Sequence, residues 1–119
     1  MIENFGIGID LVYIKKFEKM SYSKKPDFYK KVFLPSEIKY CLKFKKSAEH
    51  FAGKFAIKES LRKSIKEPIS FLDIETYHIK SKLKIKLGKN WNKKYKVLGS
   101  ISHENEYAIG MVISEKINL

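Results

Sequence analysis

The strongest constraint on the fold is a change of hydrophobic period near the middle of the chain. Across residues 47–65, Ala48, Phe51, Ala52, Phe55 and Ala56 recur at helical spacing, and Pro68 stops the run. Beyond that proline the period drops to two. Residues 71–79 read as a strand, and Lys80-Ser81-Lys82 as a turn. Leu83, Ile85 and Leu87 then alternate with Lys84 and Lys86 in a second strand. Residues 88–95, which carry Trp91, read as a short helix or loop. Residues 97–103 and 107–114 form a predicted hairpin around Glu104-Asn105-Glu106. A long helix followed only by alternating segments predicts an α+β fold, with a mostly antiparallel sheet packed on that helix.

The N-terminal segment alternates as cleanly. Phe5, Ile7 and Ile9 fall on one face of a strand over 5–10; Gly6, Gly8 and Asp10 fall on the other. Two glycines in a row on one face let another element approach the backbone closely. Asp10 closes this bare face, and is placed to cap a helix through Leu11, Ile14, Phe17 and Met20. Pro26 and Pro35 open two further short helices, with Ser36 as the expected cap of the second, near 37–44. No repeat, linker or composition break interrupts the chain, so one domain over 1–119 is expected.

Charge narrows the function. The formal net charge is +12, and all 25 basic residues are lysine except Arg62. Such a surface attracts anions, whether nucleic acid, nucleotide or acidic protein. Base reading in DNA leans on arginine, so its scarcity argues against a sequence-specific DNA reader. Cys41 is alone, which excludes an internal disulfide and a zinc spacing and suits a buried thiol. No apolar run is long enough to span a bilayer. The N-terminus lacks a basic-then-apolar signal pattern, so a cytoplasmic setting is expected.

One residue breaks the long helix's pattern. Counting about 100° per residue from Phe51 puts Phe55, Ala48, Ala52 and Ala56 between about 40° and 140°, with Glu59 inside that sector at about 80°. A carboxylate there needs a partner or a metal. An ion pair with Lys63, at i+4, is the plain alternative. Lys54, Lys58 and Arg62 line the edge of the stripe, where snorkelling or anion contact is expected. Asp10 at a strand end and Glu59 on a facing helix are the type of oxygen pair that magnesium takes, completed by substrate phosphates.

Three blocks resemble the holo-acyl-carrier-protein synthase family, the small bacterial-type 4′-phosphopantetheinyl transferases. They are Gly6-Ile7-Gly8-Ile9-Asp10-Leu11-Val12, the run from Ala48 through Phe51-Ala52-Gly53-Lys54-Phe55-Ala56-Ile57-Lys58-Glu59-Ser60, and Ser100-Ile101-Ser102-His103 followed by Tyr107-Ala108. Phe33-Leu34-Pro35-Ser36-Glu37-Ile38 and Phe71-Leu72-Asp73-Ile74-Glu75 fall between them in the expected order. The resemblance implies transfer of the 4′-phosphopantetheine arm of coenzyme A to a serine of apo acyl carrier protein in fatty-acid synthesis, releasing adenosine 3′,5′-bisphosphate. It implies Asp10 and Glu59 as magnesium ligands, and Glu59 or a metal-bound water as the base. Lys63 would stand near the phosphates. Ser102 and His103 would contact the coenzyme A phosphates, with Lys54 at the nucleotide's 3′-phosphate. Lys15, Lys16 and Lys19 would meet the acidic carrier protein, within a homotrimer whose sites lie between subunits. Two segments depart from the family pattern beside the nucleotide. Ser64-Ile65-Lys66-Glu67-Pro68 replaces a glycine-containing stretch, and Lys80-Ser81-Lys82-Leu83 replaces a Gly-Lys-Pro turn. The rival readings are a basic nucleic-acid-binding module, which leaves Glu59 unexplained, and a family member that binds coenzyme A without transferring.

Overall fold

A computed structural model describes residues 2–117; Met1 and residues 118–119, the ends of the expected domain, lie outside the described residues. Among these residues a three-stranded antiparallel sheet has the order β1-β5-β4, from β1 (Phe5–Tyr13), β4 (Tyr95–Glu104) and β5 (Tyr107–Lys116). A separate hairpin joins β2 (Ile74–Ile79) to β3 (Lys82–Leu87). Three short helices, α1 (Ile14–Lys19), α2 (Pro26–Val32) and α3 (Pro35–Leu42), precede the long α4 (Ser47–Ser64), and α5 (Trp91–Lys94) leads into β4. The expected α+β architecture is present.

Glycine decides how α4 meets the sheet. A methyl group on Gly8 would stand 1.8 Å from the Ser60 carbonyl oxygen, and one on Gly6 would stand 1.8 Å from that of Ser64. Gly110, the β5 partner of Asp10, lies against the backbone of Ala56 in the same way. Side chains are excluded from this lane, so backbone packs on backbone. The Ser60 hydroxyl shares its hydrogen between the carbonyls of Ala56 and Gly110, at 2.7 and 2.8 Å. Ser114 donates to the Ser64 carbonyl at 3.0 Å.

The opposite face of β1 carries Phe5, Ile7, Ile9 and Leu11, all exposed, and continues across β5 and β4 through Ile113, Met111 and Leu98. The core lies on the helix side, in two adjoining clusters. Phe17, Tyr29, Phe33 and Phe51 pack among the helices. Ile57, Leu61, Ile74 and Leu87 join α4 to the β2–β3 hairpin.

Three local expectations are corrected. Asp10 caps no helix: β1 runs on to Tyr13, because Leu11, Val12 and Tyr13 pair with Ile109, Ala108 and Tyr107. Ser36 is not the cap of α3. Pro35 opens that helix, where a missing N–H costs nothing, and Glu37 reaches back to accept the Leu34 N–H at 2.8 Å. Residues 71–73 form a 3₁₀ turn rather than the start of β2, with the Ser70 hydroxyl accepting from the Leu72 N–H at 3.4 Å.

Candidate active site

Asp10 sits on the glycine face of β1, one inward position beyond Gly8, and so beside the α4 turn that carries Ser60. From that helix the Lys63 ammonium donates to Asp10 Oδ1 at 3.0 Å and to the Ile9 carbonyl at 3.1 Å. Glu59 lies one helical turn before Lys63. It does not pair with Lys63 as the i,i+4 alternative would have it. Its Oε1 faces Arg62 Nη1 at 3.6 Å, and the guanidinium lies 4.1 Å from the centre of the Phe71 ring. The two carboxylates are part-shielded, with side chains 17% and 28% exposed.

Both carboxylates are thus hard oxygen donors, each held by one side-chain cation. Among the described residues no three His, Cys, Asp or Glu side chains cluster, so a metal here would have only Asp10 and Glu59 as protein ligands. That set fits magnesium, which is usually held by one or two carboxylates, water and substrate phosphates. Lys63 and Arg62 each place one positive charge beside these carboxylates.

Around the N-terminal half of α4 opens a cleft of about 520 Å³ between that helix, the β2–β3 turn and β4. His103 lies on its wall, with Nε2 3.1 Å from the Glu49 carbonyl oxygen. Gly53 of α4 faces it directly: a methyl group there would stand 3.2 Å from that same nitrogen. Ser102 is not in the cleft. Strand alternation turns it to the outward face of the sheet, opposite Ile109 in the β5 register. Lys15, Lys16 and Lys19 are exposed on α1, and Lys15 pairs with Glu106 at 3.3 Å.

Two expected snorkelling lysines are instead buried. Lys58 is fully buried and donates to Glu37 Oε1 at 2.6 Å and to the carbonyls of Val32 and Phe71. Lys54, 2% exposed, donates to Thr76 Oγ1 at 2.8 Å and lies 4.8 Å from the Tyr40 ring centre at the cleft floor. Thr76 passes its own hydroxyl hydrogen to Glu37 Oε2 at 2.6 Å, which also accepts the Thr76 N–H. Each lysine is buried because a carboxylate or hydroxyl waits inside for it; a lone ammonium would have to reach water. Burial pulls both ammonium groups below the ordinary lysine range, and Glu37 opposes that shift. The Cys41 thiol beside them is buried, as expected, and pushed up to about 12 by desolvation.

The cleft also holds residues that sequence reading left without a role. His78 stacks on Tyr40 at 4.7 Å, and His50 on Phe44 at 3.8 Å. Burial lowers the pKa of both rings, and His78 Nδ1 is buried without a hydrogen-bond partner among the described residues. One signal did exist: Thr76 is an inward-facing polar residue in a strand, which calls for an internal partner.

A bare-faced strand with a carboxylate on it, a second carboxylate on the helix it packs against, and a separate cleft at the N-terminal half of that helix are the features of a chain that comparison with known proteins places among the transferases. The chain belongs to the 4′-phosphopantetheinyl transferase superfamily, whose family description matches residues 6–112. It is similar to the holo-[acyl-carrier-protein] synthase of Mycoplasma capricolum, 38% identical over 97% of this chain and 96% of that protein. The enzyme of the same name from Geobacter sp. (strain M21) is 33% identical over 94% of this chain and 98% of the relative. Among solved structures, the Helicobacter pylori holo-[acyl-carrier-protein] synthase in complex with coenzyme A superposes with a TM-score of 0.76 at 35% identity, covering 92% of this chain and 99% of that one.

Proposed function

We propose that this enzyme moves the 4′-phosphopantetheine arm of coenzyme A onto a serine hydroxyl of an acidic acyl carrier protein, with magnesium bound by Asp10 and Glu59. The observation that carries the reading is the carboxylate pair on two facing elements, each carboxylate already neutralised by a cation. Bound there, magnesium would neutralise charge on the coenzyme A pyrophosphate. The chain's own residues do the rest. Lys63, exposed and beside Asp10, turns from that carboxylate to a phosphate oxygen of the leaving nucleotide. Glu59 takes the serine proton. His103 holds the nucleotide phosphates from the cleft wall, and Lys54, buried beneath Tyr40 and bonded to Thr76, contributes its charge from the floor rather than a direct contact. Lys15, Lys16 and Lys19 steer the acidic carrier onto α1.

Ser102 belongs to this scheme only if copies of the chain assemble, since it lies on the outward face with Leu98. That face exposes Phe5, Ile7, Ile9, Leu11 and Leu98, a larger contiguous apolar surface than isolated surface residues give. We therefore take it as the contact between copies in a homotrimer, with Ser102 reaching a site shared with its neighbour. Sedimentation at micromolar concentration should give about three times the chain mass of 14.0 kDa; a monomer would remove the shared site.

The activity itself is tested by incubation with apo carrier protein, coenzyme A and magnesium. The carrier should gain the mass of one phosphopantetheine, and chelation should prevent the gain. An unmodified carrier, under conditions where a control synthase works, would sink the assignment.

A further inference from the structure

Arg62 is the one arginine in a chain whose other basic residues are all lysine, and it stands three residues after Glu59. Its guanidinium lies on the Phe71 ring at 4.1 Å. Phe71 stacks in turn on Phe55, at 5.9 Å and 25° between planes. A planar guanidinium stacks on an aromatic face while keeping its in-plane N–H donors free; an ammonium has no such geometry. The ring therefore fixes where the charge sits, and that place is 3.6 Å from Glu59 Oε1. Lys63 holds Asp10 in a different manner, on a half-exposed flexible stem. The Glu59 side of the pair carries the anchored cation.

We propose that Arg62 is a positioning residue that holds the Glu59 carboxylate in the place of the metal and yields it when the metal binds. Resting on the metal reading of Asp10 and Glu59, this makes Arg62 the competitor that keeps metal affinity low until coenzyme arrives. A cation fixed 3.6 Å from one ligand oxygen repels a metal ion at that carboxylate and draws the carboxylate away from it, so removing it should tighten metal binding. The phosphates of the coenzyme then supply negative charge that the guanidinium, still resting on Phe71 as the carboxylate turns to the metal, is free to face. Metal and coenzyme thereby favour one another's binding.

The test is manganese binding to the full chain without coenzyme, read from the electron paramagnetic resonance of free Mn²⁺. Arg62→Gln should bind about threefold more tightly than the unaltered chain, the range expected for loss of one part-exposed ion pair. Lys66→Gln removes the same charge from an exposed neighbour and should leave the affinity unchanged, which separates displacement from net charge. The proposal is overturned by an Arg62→Gln affinity equal to or weaker than the unaltered chain's, or by an equal gain in Lys66→Gln. Glu59→Gln separates the two levels of the argument. If it binds manganese as well as the unaltered chain, the metal reading itself falls. If it loses binding while Arg62→Gln changes nothing, only the role of Arg62 falls. No binding by any of the four proteins overturns both.

Discussion

Asp10→Ala and Glu59→Ala should each lower carrier-protein modification by more than about a hundredfold, the upper end of what losing even an outer-shell partner of a metal costs. Both variants should stay folded. Each side chain is part-exposed and makes one ion pair, at 3.0 Å for Asp10 and 3.6 Å for Glu59. Pairs of this kind contribute only about 0–1 kcal/mol. Beyond the exposed Lys63–Asp10 pair, the helix–sheet contact beside them does not use the carboxylates. It rests on Gly6, Gly8 and Gly110 and on the hydroxyls of Ser60 and Ser114. Thermal melts should therefore move by a few degrees at most while turnover collapses. Near-normal turnover in both variants would refute the metal site and leave the fold assignment standing.

The second large effect is on stability. Lys58→Met should destabilise the protein by about 3–5 kcal/mol, the usual result of stranding one partner of a buried ion pair. Glu37 is fully buried and accepts four hydrogen bonds, from the Leu34 N–H, Lys58 Nζ, and the Thr76 N–H and hydroxyl. Without Lys58 its charge has no direct counter-ion. Adding Glu37→Gln should recover only part of the loss: it removes the buried charge, but its NH2 must face an N–H of Leu34 or Thr76 whose hydrogen bond the carboxylate accepted. Urea unfolding of the single and double variants measures both. A single-variant loss under about 1 kcal/mol would mean that Lys54, bound to the same Thr76 hydroxyl, already neutralises Glu37.

This network marks the limit of what the sequence discloses. The alternation of β1, the helical run of α4 and the final hairpin are each written in local spacing, and the structure has all three. So is the contrast between the glycine and apolar faces of β1. The strand's true end is not local: Val12 and Tyr13 stay extended because β5, about 100 residues away, pairs with them. The lysines fail for a related reason. Pattern rules send lysine to the surface, and only Glu37, on a different helix, reverses that for Lys58. At the carboxylates, the helical count put Glu59 inside a core-facing stripe, but Ala48, Phe55 and Glu59 are only part-buried and Lys63 is exposed, because α4 also buries its other sides, through Ile57, Lys58, Ser60 and Leu61. Nor could the count tell that Lys63 would turn to Asp10, leaving Glu59 to Arg62.

The glycine lane beneath α4 has a consequence for how such an enzyme can diverge. Where two elements meet through side chains, each core substitution resets their spacing by a fraction of an ångström. Here the stop is the peptide backbone itself, at Gly6 against Ser64, Gly8 against Ser60 and Gly110 against Ala56. Asp10 and Glu59 are mounted on the two sides of that stop. The aromatic filling among the helices is thus free to drift while the separation of the two carboxylates holds, as a hinge plate keeps its gap whatever is hung on either leaf.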